Sequence, residues 1–185
     1  MEAPDGIRLE QVGEQSQRLA RSAWQYMQDC KAADNGYTAG LGSLEDLESI
    51  QAVEENWIPQ VINETEGKHL PDGWVPAIEF CALNQDNQIV GMIQLRLELN
   101  DFLFNYLGNI GYSVHPDFRR RGYAHYMLHE CLGSARQHGL DRVLVTCSVD
   151  NEGSRRTILS CGGRFEDTRL NPEEGLCQRY WIDLQ

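Results

Sequence analysis

Basic residues are in short supply: the chain carries 16 lysines and arginines against 28 aspartates and glutamates, a formal net charge of −12 over 185 residues. Such a surface repels polyanions, which argues against nucleic acid or an anionic membrane as the main partner and leaves room for a cationic or neutral one. No apolar run approaches the length that spans a bilayer. The opening MEAPDGIRLE has neither the basic nor the apolar stretch of a secretory leader, so a soluble, unprocessed, cytoplasmic protein is expected. Six cysteines occur without a single C-x-x-C pair, three of them in apolar stretches that read as core, and no metal site is expected. The G-K-[ST] of a P-loop and the G-x-G-x-x-G dinucleotide fingerprint are also missing.

What is present fits one domain over residues 1–185, with 41% apolar residues to build a core and no internal repeat or linker. A short strand at Ile7 to Val12 precedes a helix from Glu14 to Lys31, where Leu19, Ala23, Met27 and Cys30 recur at steps of three and four. Gly36, Gly40 and Gly42 break the chain, and Ser43 with Asp46 has the spacing of a capping box for a second helix whose core side is Leu44, Leu47, Ile50, Val53 and Trp57. Pro59 and the polar run Asn63 to Gly73 are expected to form a loop. The acidic stretch 45–66, which contains no Lys or Arg, reads either as a solvated helix face or as a field that attracts an amine.

Ala77 to Leu83 and Ile89 to Leu99 read as strands joined by a turn at Asp86-Asn87; in the second, Gln94, Arg96 and Glu98 form a polar row facing solvent or a cleft. A third strand is expected at Asn109 to Val114, a long amphipathic helix at Gly122 to His138, a strand at Arg142 to Cys147, a helix at Asn151 to Ser160 and a last strand at Gln178 to Leu184.

The chemistry concentrates between the third strand and the long helix. Val114-His-Pro-Asp-Phe-Arg119-Arg120-Arg121-Gly122-Tyr123-Ala124 leads from a strand end through a proline bend into a helix first turn, where unpaired N–H groups and the positive dipole end favour a phosphate. Gly122 and the small Ala124 let an anion approach the backbone, and three arginines add positive charge to an acidic chain. The segment also reads as a solvated basic turn.

V-x-P-x-x-R-x-x-G-x-A after an I-G-Y-S strand resembles the coenzyme A motif of the GNAT superfamily of N-acetyltransferases. D-N-x-x-S at Asp150 to Ser154, C-G-G at Cys161 to Gly163 and R-Y-W-I at Arg179 to Ile182 extend the resemblance over roughly residues 75–184, nearest to a bacterial group of predicted acetyltransferases. It implies an α/β fold with a mixed, mostly antiparallel sheet flanked by helices, and a splayed central pair in which Tyr112, Ser113 and Val114 diverge from Arg142 to Cys147. The implied co-substrate is acetyl-CoA. Backbone groups of Tyr112 and Val114 would meet its pantetheine arm, amides of Arg119 and of Arg121, Gly122, Tyr123, Ala124 and His125 its pyrophosphate, and Asn151 and Ser154 the pantetheine or adenine side. The implied activity is acetyl transfer to a small-molecule or peptide amine by direct attack in a ternary complex, in a protein of a family that often forms homodimers.

The resemblance falls short at the catalytic groups. Some members carry a glutamate base at the position of Gly108, and many carry an acidic tyrosine at that of Ile158. The expected substitutes are Glu98, Glu79 or a water held by Asn109 as base, and Tyr180 or water as acid. The alternative is a catalytically inactive CoA-binding regulatory module.

Overall fold

The computed structural model describes residues 2–36, 38–172 and 174–184. Seven strands form one sheet: β1 (Arg8–Gln11), β2 (Ala77–Leu83), β3 (Ile89–Arg96), β4 (Ile110–Val114), β5 (Arg142–Ser148), β6 (Arg164–Asn171) and β7 (Gly175–Asp183), in the order β1-β2-β3-β4-β5-β7-β6. Every neighbouring pair is antiparallel except β4 and β5, which are parallel and register only at Ile110 and Val145. The sheet is therefore mixed, mostly antiparallel and open at its centre, as the resemblance implies.

Four helices cover it: α1 (Ala20–Ala33), α2 (Ile50–Glu66), α3 (Tyr123–Gln137) and α4 (Glu152–Ser160). Side chains alternate across a strand, so β2 and β3 feed two cores. Ile78, Phe80, Ile93 and Leu95 pack with Met127, Leu128 and Cys131 of α3, whereas Cys81, Leu83 and Met92 pack with Met27 and Cys30 of α1 and Val53 and Trp57 of α2. Both faces being covered, β2 is buried throughout.

Three local expectations are corrected. Ser43 caps no α-helix; it lies in a short 3-10 turn (Gly42–Asp46) that drops Leu44 into the core, and the cap of α2 is Ser49, whose side chain accepts from the Ala52 N–H at 3.1 Å. Pro59 does not end α2. The bond it cannot donate would go to the carbonyl of exposed Glu55, and the buried stripe Val53, Trp57, Ile58, Val61 carries the helix on to a left-handed Gly67. The third is β6, unread in the sequence because this edge strand buries only Asn171 and so lacks an apolar period.

Candidate functional site

The sheet opens where β4 leaves β5. Asn109 fixes the closed end: its N–H and side-chain oxygen bond Leu144 O and Leu144 N at 2.7 and 2.8 Å, and its Nδ2 donates to Arg96 O at 3.0 Å. Beside it Gly108 has φ 70°, and a Cβ there would lie 2.3 Å from the Leu144 carbonyl oxygen. No side chain fits. The glutamate that the resemblance locates at this position is excluded by the strand crossing itself.

Beyond Ile110 the two strands part. The His115 N–H bonds Val90 O on β3, so alternation along β4 turns the backbone groups of Tyr112 and Val114 the other way, into the gap. Val114's carbonyl accepts from Arg119 Nε at 3.0 Å. Ser113 points to the α1 face, where its Oγ lies 2.9 Å from the Tyr26 hydroxyl.

A cleft of about 1110 Å³ runs from this gap to the start of α3. Gly122, at φ 82°, precedes α3 and supplies no side-chain cap, so the first-turn amides of Tyr123, Ala124 and His125 have no intrahelical acceptor. Arg120 is also left-handed, with φ 65°, and this turn forms a concave backbone of the kind that holds anions. The arginine side chains divide. Arg119 is held by a two-pronged ion pair with Asp34, which raises its pKa, and Arg121 lies over Phe118 at 5.2 Å and does not line the cleft. Arg119 and Arg120 do line it, as do Gly122, Tyr123, Ala124 and His125. Arg156, which the sequence reading passed over, joins them from α4; its neighbour Glu152 pairs with it at 2.6 Å.

A second cavity, about 650 Å³, lies on the α2 side of the sheet. Thr38, Ala39, Tyr112, Ser148, Asn151 and Ser154 line both. At the junction the Tyr112 hydroxyl lies 2.7 Å from Ser154 Oγ and donates to the Ser154 carbonyl at 3.4 Å; burial holds its pKa above the ordinary value. Asn151 caps α4, its side chain accepting from Ser154 N at 3.0 Å. Tyr112, Asn151 and Ser154 are thus brought together from two elements 40 positions apart in sequence.

The walls of the second cavity include Trp74, Leu103, Tyr106 and Leu107. Its charged lining is Glu45, Asp46, Glu64, Glu174 and Arg96. Of the polar row seen on β3, Gln94 and Arg96 face this cavity, whereas Glu98 lies past the strand end, exposed and outside both cavities. Tyr180 is buried on β7, donates to Gln178 Oε1 at 2.7 Å and lines neither cavity. Ile158 is fully buried, and a Cβ on Gly163 would lie 2.5 Å from its Cγ2, which accounts for the second glycine of C-G-G. Cys147 and Cys177 line the second cavity, but burial pushes Cys147 up to about 11 and Cys177 upward as well. Both stay thiols near neutral pH. Among the described residues no group of three His, Cys, Asp or Glu is arranged to hold a metal, and no helix is long and apolar enough to cross a membrane.

Comparison with solved structures gives the same architecture. The microcin C7 self-immunity acetyltransferase in complex with acetyl-CoA and AMP matches with a TM-score of 0.71 and 17% identity, over 97% of this chain and 93% of that one. The ribosomal-protein-S5-alanine acetyltransferase from Vibrio fischeri matches at 0.75 and 12% identity, over 100% and 96%. A ribosomal L7/L12 α-N-protein acetyltransferase in complex with coenzyme A matches at 0.70 and 16%, over 98% and 97%. At such identities the likeness speaks for the fold. No curated protein sequence is similar enough to match. The sequence pattern of the acetyltransferase (GNAT) family matches residues 44–162, more than half of the chain and including the β4 to α3 turn, and the chain belongs to that family.

Proposed function

We propose that the protein moves the acetyl group of acetyl-CoA to an amine by direct attack in a ternary complex, with the cleft at α3 taking the donor and the cavity beside α2 the acceptor. The observation that carries this reading is the meeting of the two spaces at Tyr112, Asn151 and Ser154, beside the gap between β4 and β5. The donor's pyrophosphate is assigned to the amides after Arg120, where backbone donors and the helix dipole act together. Its pantetheine arm is assigned to the outward backbone groups of Tyr112 and to the Val114 N–H.

Direct attack needs a neutral amine, a polarised thioester carbonyl and a stabilised thiolate. An alkylammonium has a pKa of about 10.4, so its proton must be lost before attack. Water in the acceptor cavity takes that role in this reading, Glu98 being outside the cavity. An N–H facing the gap, from Tyr112 or Val114, polarises the carbonyl oxygen. The Tyr112 hydroxyl lies at the junction, and to serve the thiolate its single proton turns away from the Ser154 carbonyl while Ser154 Oγ donates to its oxygen. Its raised pKa makes it a hydrogen-bond donor to the thiolate rather than a full proton source, and a thiol of pKa about 8.5 already leaves as its anion. An acyl-cysteine relay is disfavoured by the protonated state of Cys147 and Cys177.

The alternative, a CoA-binding regulatory module without turnover, draws on Gly108 and Ile158, since neither position can supply the family's acid or base. A panel of amines with acetyl-CoA and thiol detection separates the two: CoA release above the no-acceptor rate supports transfer. Tight acetyl-CoA binding with no release across alkyl, aryl and peptide amines would make the protein a binding module.

A further inference from the structure

The sheet face toward α2 carries a row of three registered residues, polar on its first two strands and a glycine on the third. Glu79 on β2 registers with Gln94 on β3, and Gln94 with Gly111 on β4. With strands about 4.8 Å apart, the row spans about 10 Å from β2 to the strand that lines the transfer junction. Its far end is roofed by the glycine loop and by α2. A Cβ on Gly42 would lie 2.6 Å from Gln94 Nε2 and 2.7 Å from Glu79 Oε2, and Gln94 Nε2 in turn donates to Glu64 Oε2 at 3.0 Å. Glu64 lines the acceptor cavity, whereas Glu79 does not line it and acts on Glu64 by charge repulsion alone.

These carboxylates are under-compensated. Glu64 and Glu79 are 4% and 2% exposed; both oxygens of Glu79 have no hydrogen-bond partner, and Glu64 Oε1 has only the Ser43 hydroxyl and N–H beside it, outside good hydrogen-bond geometry though close enough to lower its pKa. Buried side-chain oxygens are seldom left so, since the water lost on burial is then not replaced by any partner, and a charged group loses most. The neighbouring cation is Arg96, whose charge acts on both. One guanidinium cannot neutralise two carboxylates, and Glu45 and Asp46 at the cavity wall add further negative charge. Burial raises the pKa of both glutamates, and their mutual repulsion adds to the shift at Glu79. A second cation seated beside them would complete the compensation that Arg96 begins.

The space between this acidic floor and the junction has apolar walls, Trp74, Leu103, Tyr106 and Leu107. Such walls suit a chain of methylenes, and the floor suits a positive charge at its end. We infer that the Glu64 floor is an ammonium-binding subsite, so that the acceptor is an aliphatic diamine or longer polyamine whose second ammonium seats there while its first amine is acetylated. This rests on the transfer reading above and goes beyond it in naming the acceptor class.

The test compares 1,4-diaminobutane and spermidine with 4-amino-1-butanol, which keeps the chain length and replaces the second ammonium by a hydroxyl, and with a short peptide carrying a free α-amine. Wild-type kcat/KM for the diamine or for spermidine is expected to exceed that for the amino alcohol by at least about 30-fold, mostly through KM. In Glu64→Gln the ratio falls to within about threefold of unity; glutamine keeps an acceptor for Gln94, so the fold survives. Glu79→Gln moves the ratio the same way and serves if the first variant is poorly soluble. Equal or better use of the amino alcohol or the peptide, or a ratio that both variants leave unchanged, overturns the inference while leaving acetyl transfer intact. If no amine releases CoA, it is the transfer reading that fails. Calorimetry of spermidine with the CoA-loaded protein then decides the subsite: binding that weakens at least tenfold in Glu64→Gln supports it, and absence of binding overturns it.

Discussion

The cleft proposed for the donor and the cavity proposed for the acceptor share Tyr112, Asn151 and Ser154, yet they are made of different material. The donor side is built of backbone: first-turn amides of α3, a left-handed turn at Arg120 and Gly122, and strand groups that β5 does not pair. The acceptor side is built of side chains from α2, β2, β3 and the glycine loop, gathered from positions far apart in the chain. A backbone site can be conserved in geometry while its side chains point elsewhere, as Arg119 does toward Asp34 and Arg121 toward Phe118. A side-chain site depends on the identity of each residue, and its charges weigh on stability as well as on binding.

The largest expected effect tests the frame that both sites share. Gly108→Glu would supply the glutamate that the resemblance implies at this position, but its Cβ would meet the Leu144 carbonyl at 2.3 Å from a residue at φ 70°. A loss of about 4 kcal/mol or more of unfolding free energy is expected, read by urea denaturation, with no gain in turnover. A stable Gly108→Glu protein with raised activity would show that β4 and β5 can move apart at their closed end.

Next comes the backbone character of the donor side. At Gly122 a Cβ would meet nothing within 4 Å, so Gly122→Glu should fold with only the cost of a left-handed non-glycine, about 1 kcal/mol. The carboxylate would nevertheless stand at the amides and repel the pyrophosphate. Acetyl-CoA affinity is expected to fall about 100-fold, close to 2.7 kcal/mol, in calorimetric titration. Full affinity in this variant would mean that the pyrophosphate lies elsewhere.

The unequal materials explain what could be read in advance. The turn from Val114 to Ala124 was legible as a turn because its proline bend, its glycine and the start of α3 all fall within eleven consecutive residues. The strands β2 to β5 and α3 were legible for the same reason, their periods being local, whereas the mixed order of the sheet followed from the resemblance. Glu64 and Glu79 were not singled out as a pair, because one lies in an acidic helix and the other in an apolar strand, and only the register of Glu79 with Gln94 and the Gly42 roof bring them together. Tyr112 was named for its backbone, while its hydroxyl's contact with Ser154 depends on the angle between β4 and α4, which no local pattern encodes. Pro59 misled because propensity was set against a buried stripe that proved stronger.

The acceptor side should also carry a pH signature that the donor side lacks. Glu79 faces Glu64, Gln94 and Arg96, with Ser43 beside Glu64, and its folded pKa lies well above the unfolded value of about 4.3. The stability tied to its protonated form is therefore fully present below about pH 4.3 and is lost as pH rises through the folded value. Unfolding free energy of the wild type should decline over that window. In Glu79→Gln the Glu79 contribution to the decline disappears, and the variant should be more stable than wild type by about 1–3 kcal/mol at pH 8. A parallel pair of stability curves would show that Glu79 is compensated in solution by a cation or by water.

The smallest effect separates side chain from backbone on the donor side itself. Arg119 has the charge and the position to be mistaken for a phosphate ligand, but its guanidinium is committed to Asp34 and its Nε to the Val114 carbonyl. That ion pair is partly exposed, with side chains at 40% and 32%, so it contributes less than about 1 kcal/mol. Arg119→Ala is accordingly expected to lower the unfolding free energy by no more than that and to weaken acetyl-CoA by at most about threefold, against the 100-fold expected at Gly122. The residual threefold would come from freeing the Val114 carbonyl and the turn that Arg119 ties down. If alanine at 119 instead costs as much affinity as glutamate at 122, the guanidinium must leave Asp34 when the donor binds, and the donor site would be a side-chain site after all.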